Sequence, residues 1–334
     1  MTTVGEQRLL VIAVGCNGIE PSASVLQRGY DLTLGDAGGS LNDVYRKLSW
    51  GQMWFAGQVV GVGIQAALNC DLVFAPGHPM WAIDDALRAK GIDLASYTRR
   101  LYSIPGFCTS ADRGFPSLTV GGITFSASIL SLGDGWGNIA HEMGHCLGMT
   151  HAGTWNPLSD RGDNGDLMGS GVPMLNAPHK MQLGWWRPEQ VIDVTQEGDY
   201  TISHHVLANT GVMALRVGPW IVSYQQQLTD AIKAIYPSIT GGASIHTLVN
   251  GIDTRLVDTH PNDGLAFLSA PLTDGSVFRD TANSIEIEQL SHTDREVRLR
   301  VRLHLTTPTP DPTPAPAPGP GKPHPPHPKR GGIS

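Results

Sequence analysis

The sequence predicts an α+β protein: a first part in which strands and helices alternate, then a β-rich, sandwich-like part. Two observations carry this. Up to Met168, apolar runs of strand type alternate with stretches of helical spacing. Beyond Met168, short β-type runs follow one another, punctuated by Gly, Pro and Asp.

The elements follow in order. Residues 7–17, with Leu9, Leu10, Val11, Ile12, Ala13 and Val14 in succession, read as a central strand that is apolar on both faces. A Gly/Asp/Ser-rich loop is expected up to Ser40. Leu41, Val44, Tyr45 and Leu48 recur at helical spacing, and Gly51 marks the stop. Residues 53–62 read as a strand and 71–74 as a short one. Residues 81–89 read as a helix closed by Gly91, and 101–106 as a strand. Residues 117–130 read as a hairpin or a bulged edge strand around Gly121-Gly122. Residues 137–149 form the last helix of the first part. The β-type runs of the second part lie at 191–194, 200–203, 212–217, 221–224, 243–249, 254–258, 284–290 and 296–305. The expected division is 1–190, 191–305 and a Pro-rich tail, 306–334, whose composition cannot build a core and reads as extended and mobile. His324 and His327 lie in this tail, where no rigid frame would hold a metal.

The chain has 334 residues, 40% hydrophobic and 16% charged, with a formal net charge of -7. Such a balance suits a folded chain rather than a disordered one. It argues against nucleic acid as the main partner, because phosphate binding needs a basic face. No run is long enough for a membrane span. Residues 9–14, the most apolar early stretch, lack the basic start and cleavage site of a signal peptide.

The chemistry concentrates in His141-Glu142-Met143-Gly144-His145-Cys146-Leu147-Gly148-Met149-Thr150-His151. Residues four apart on a helix share a face, so His141 and His145 can grip one ion. Gly148 tolerates the left-handed turn that brings His151 back as a third ligand. Three protein ligands leave an open position on zinc, the mark of a catalytic site. Glu142 stands beside a ligand, where it can act as general base. The combination predicts zinc at His141, His145 and His151, and hydrolysis by Glu142-assisted attack of zinc-bound water on a protein or peptide substrate. A zinc hydrolase acting on small amides and an inactive adhesion module are the alternatives; the presence of Glu142 argues against the second. Asp160, Asp163, Asn164 and Asp166 could offer calcium oxygen ligands, although turn formation is the favoured reading.

The zinc motif, with Asp166-Leu167-Met168-Gly169-Ser170 after it, resembles the metzincin metallopeptidases, in which a methionine turn lies beneath the histidines. The segments Gly165-Asp166-Leu167-Met168-Gly169, Leu175-Asn176-Ala177-Pro178-His179-Lys180-Met181-Gln182-Leu183-Gly184-Trp185, Leu48-Ser49-Trp50-Gly51-Gln52-Met53-Trp54-Phe55-Ala56-Gly57 and Asn69-Cys70-Asp71-Leu72 are similar to the gametolysin type. The resemblance implies a metzincin-like catalytic domain, with a twisted mixed sheet and an active-site helix. It also implies one zinc ion and endopeptidase activity on extracellular-matrix or cell-wall glycoproteins, and hence an extracellular or surface location. Some metzincins add a tyrosine or histidine near the turn, for which His179 and Tyr224 are the candidates. Residues 124–129 are expected to be the edge strand that pairs with substrate. Cys70 and Cys108 are the pair best placed for a disulfide on export, with Cys16 and Cys146 as buried thiols.

Overall fold

The computed structural model describes residues 2–65, 79–104, 113–120, 122–133, 135–170, 172–206, 208–225 and 241–303. The expected strand at 71–74, Cys70, Cys108 and the tail from residue 304 lie outside these residues.

The first sheet is built on β1 (Gly5–Gly15), whose unbroken apolar run is buried on both sides. Around it lie β2 (Met53–Gly63), β3 (Arg99–Ser103), β5 (Ile123–Leu130) and β4 (Arg113–Val120), in the order β2-β1-β3-β5-β4. The first four strands are parallel and β4 is antiparallel to β5. Successive side chains of a strand face opposite ways. Leu9 and Val11 accordingly pack with α2 (Leu41–Leu48) and α4 (Trp136–Cys146), and Leu10 and Ile12 with α3 (Pro79–Ala89). Helix α2 starts at Ser40, whose hydroxyl accepts from the Asp43 N–H, a capping bond worth about 1 kcal/mol.

Three expectations need correction. The segment expected to be loop up to Ser40 contains α1 (Ala23–Thr33). It lacks a side-chain N-cap bond and carries Gly29 at its centre, so no local signal announces it. Gly29 is there because the helix rides close to the sheet: a Cβ would come within 3.1 Å of Val59 and 3.3 Å of Leu132. The edge strand is β4, not residues 124–129. Those residues belong to β5, which is held between β3 and β4. Helix α4 ends at Cys146 rather than at Met149, because Gly148 takes a φ of 98°.

Beyond the helices lie two more sheets. One has six strands in the order β6-β12-β11-β10-β9-β7. These are β6 (Gly153–Trp155), β12 (Asp253–Val257), β11 (Ala243–Val249), β10 (Trp220–Tyr224), β9 (Ala214–Val217) and β7 (Val191–Asp193). The other runs β13 (Val277–Asp280), β14 (Ile285–His292), β15 (Glu296–Leu303), β8 (Gly198–Ser203). Strand β13 has two apolar residues in four, too weak a pattern to read from sequence. A shared core draws Val222 and Ile245 from one sheet and Ile287, Val297 and Leu299 from the other. Strand β6, two residues after His151, pairs in parallel with β12 and so ties the histidine segment to the second sheet. No described helix is long and apolar enough to cross a membrane.

Candidate metal centre

Helix α4 places His141 and His145 one turn apart on a face turned away from the sheet core. The turn at Gly148 then returns His151 to the same spot. The three rings stand 4.9–5.4 Å apart between centroids, and each offers a ligand atom within 4.8 Å of the others. Among the described residues this is the group of His, Cys, Asp and Glu side chains able to hold a metal ion.

The second nitrogen of each ring settles what the first can do. His141 Nδ1 lies 3.1 Å from the Leu167 carbonyl, His145 Nδ1 lies 2.9 Å from the Met149 carbonyl, and His151 Nδ1 meets the Asp160 carboxylate. Those oxygens only accept, so each Nδ1 carries the proton and each Nε2 keeps a lone pair. Burial pushes the His141 ring down to about 4 and lowers that of His145, which favours the neutral, ligating form. Three neutral imidazole nitrogens suit a borderline-soft divalent metal.

Glu142 is buried on the same helix. Strand β4 passes directly over it. A Cβ on Gly114 would fall 2.0 Å from the Glu142 carbonyl oxygen and 2.6 Å from His145 Cβ, so the approach of edge strand to helix requires glycine. On the far side, Met168 is fully buried in the turn after Asp166. A Cβ on Gly144 would fall 2.3 Å from its sulfur, so the methionine lies tight against the helix that bears the histidines.

That turn is pinned by a carboxylate. Asp166 accepts from the Met168 N–H at 2.6 Å, the Asn176 N–H at 2.7 Å and His179 Nδ1 at 2.8 Å, all inside the protein. Asp163 accepts from the Gly165 N–H, Asn176 Nδ2 and His246 Nε2. The acids of this loop are thus committed to the protein's own donors, and the calcium expectation finds no support. Asn176 also caps α5 (Ala177–Gln182), accepting from the His179 N–H. His179 is buried against Asp166, beneath the turn. Tyr224 belongs to the core shared by the two distal sheets, where its hydroxyl donates to the Thr293 carbonyl and burial pushes it up to about 12. His179 lies near enough to His145 to act on its charge, and its Nε2 is buried without a hydrogen-bond partner, whereas Tyr224 stands in the distal core.

One residue that sequence reasoning passed over does stand with the three histidines. Arg161 brings Nη2 within 2.9 Å of His151 Nε2 and 3.5 Å of His141 Nε2. Its sequence signal is slight: it is the one cation between His151 and Met168, in a run of Asp, Asn and Gly. Cys146 is a buried free thiol, pushed up to about 12 by burial, and Cys16 is a half-buried free thiol.

The model of the gametolysin peptidase M11 family matches residues 11–238, which include all three histidines, Glu142 and Met168. The chain belongs to the gametolysin peptidase family. It is therefore a metalloendopeptidase, a hydrolase that acts on protein or peptide and uses a metal. None of the curated proteins compared with the chain matches it. In this gametolysin-type peptidase the segment Gly165-Asp166-Leu167-Met168-Gly169 maps onto the pinned loop. Trp50 and Trp185, from the other quoted segments, stand in or against the core that backs α4.

Proposed function

We propose that the chain is a zinc-dependent endopeptidase in which His141, His145 and His151 hold one zinc ion and Glu142 is the general base. The carrying observation is that every Nδ1 meets an oxygen, which leaves the three Nε2 atoms for a metal, and that the three rings bring ligand atoms within 4.8 Å of one another. When bound, zinc supplies a Lewis acid that polarises the scissile carbonyl and makes water more acidic. Glu142 takes a proton from the attacking water and passes it to the leaving amide nitrogen. Strand β4, at the sheet edge among the described residues and lying on α4 at Gly114, is placed to pair with an extended substrate.

We read the first sheet and α4 as a metzincin-like catalytic domain within 1–190. The two distal sheets, apart from β6, form a sandwich-like domain within 191–305, followed by a tail at 306–334. The family resemblance favours matrix or cell-wall glycoproteins as substrates and a place outside the cell. The experiment is Glu142→Gln: it keeps the shape but cannot accept the proton. The expected result is unchanged zinc content with casein cleavage lowered by at least about a hundred-fold. Near wild-type turnover would move the base elsewhere.

A further inference from the structure

Hydrolysis of a peptide puts negative charge on the carbonyl oxygen in the transition state, and active sites supply fixed donors or cations for it. Of the two residues that the resemblance suggests near the turn, His179 holds Asp166 through Nδ1 beneath the methionine turn, inside the protein, and Tyr224 donates to Thr293 in the distal core. Arg161 is where they are not. All its hydrogen bonds among the described residues go to imidazole nitrogens: Nε to His151 Nε2 at 3.2 Å, and Nη2 to His151 and His141 Nε2. It has no carboxylate partner among the described residues, although Asp160 precedes it and Asp163 follows two positions later. The side chain is exposed, on the open side of the histidines.

The backbone on either side of Arg161 is fixed. Thr154 and Ser159 exchange backbone hydrogen bonds of 3.1 and 3.2 Å, closing the loop. Asp160 is held by His151, and the Asp163 N–H donates to the Ala152 carbonyl at 3.1 Å. The Asp163 side chain is buried under Asn176 and His246. With no carboxylate to hold it among the described residues, the guanidinium stays within reach of the His141 and His151 Nε2 atoms. A guanidinium has no lone pair to give a metal and presents only donors, so what it can bind there is an anion.

We propose that Arg161 is a catalytic residue whose guanidinium stabilises the oxyanion developing on the scissile carbonyl oxygen. This rests on the zinc endopeptidase reading above. Water oxygen bonds to the carbonyl carbon, the C=O π pair moves onto the oxygen facing Arg161, and the water proton goes to Glu142. The carbonyl then re-forms as the C–N bond breaks, and Glu142 returns the proton to nitrogen. The new carboxyl group gives its remaining proton to the released amine, and Arg161 neither gains nor loses one.

The test uses the zinc-loaded full chain and its Arg161→Ala and Arg161→Lys variants. Kinetics on a peptide series with and without acidic residues are combined with calorimetric binding of a phosphinic peptide, which mimics the charged tetrahedral centre. For Arg161→Ala we expect zinc content unchanged and kcat lowered by about a hundred- to a thousand-fold on every peptide. KM should stay within about two-fold, since uniform substrate binding is not what the residue supplies. Phosphinate affinity should fall with kcat, and Arg161→Lys should recover part of both. Unchanged kcat and phosphinate affinity would overturn the proposal. So would a loss confined to KM on acidic peptides, which would make Arg161 a specificity residue. Tighter zinc with equal or faster turnover would also overturn it, because the guanidinium would then only compete with the metal. If the wild type itself cleaves no peptide, the endopeptidase reading fails instead.

Discussion

Replacing Asp166 by Ala tests how the methionine turn supports the histidines. The carboxylate satisfies three buried donors: two backbone N–H groups at 2.6 and 2.7 Å and His179 Nδ1 at 2.8 Å. Alanine leaves all three without an acceptor, in a place where Asp166, Met168, Asn176 and His179 are all fully buried. Each orphaned donor costs about 1–3 kcal/mol, and allowing for relaxation the sum is about 3–6 kcal/mol. This is a large share of the stability of an ordinary domain, about 5–15 kcal/mol. The damage reaches the metal site through Leu167, whose carbonyl orients His141 and whose neighbour Met168 is held by Asp166. Loss of such a supporting bond lowers metal affinity by about 10–100-fold. Asp166→Asn is the milder companion: it keeps the shape but turns one acceptor into a donor facing N–H groups. Urea denaturation of both variants, with zinc affinity by chelator competition, reads the two effects. A loss below about 1 kcal/mol for the alanine variant, with zinc affinity unchanged, would refute the reasoning.

Two further outcomes are expected. Gly114→Ala sets a Cβ against the Glu142 carbonyl oxygen, a backbone atom that cannot step aside, so β4 must leave the helix. Peptide turnover should fall, and thermal unfolding should show a loss of about 1–3 kcal/mol. Lys180 is fully buried, donates to the His205 carbonyl at 2.7 Å, and is pushed by burial down to about 7 from 10.5, with Asp166 opposing. Between those values the unfolded chain holds the extra proton, so stability rises with pH. The wild type should gain about 1 kcal/mol per pH unit over Lys180→Met across that window, read from urea midpoints at pH 7.5, 8.5 and 9.5.

Helix α4 with His141 and His145, and His151 beyond it, were legible because their chemistry is local: spacing on one helix, then a glycine at which the chain turns. Strand β1 was legible because a parallel strand covered on both sides needs an unbroken apolar run. Helix α1 was not, since Gly29 answers to Val59 and Leu132, residues far along the chain. The hairpin was half visible. Strand β4 begins with Arg113-Gly114-Phe115-Pro116, and its register shifts between Phe115 and Leu118, which breaks the alternation that marks a strand. The acids of residues 160–166 looked like turn formers. What separates Asp163 and Asp166 from ordinary turn residues is their partners, Asn176, His179 and His246, which sequence spacing does not announce. Arg161 was hidden for the same reason: a lone arginine in a polar loop has no pattern until the loop is folded back on His151.

The central claim is that the three imidazoles form one catalytic metal site. Native mass spectrometry of the zinc-loaded chain and of His145→Ala, each assayed in parallel for casein cleavage, tests it most directly. The account predicts one zinc per wild-type chain, and loss of both the zinc and the cleavage in the variant. A variant that keeps a full equivalent of zinc, or that cleaves casein without it, would contradict it.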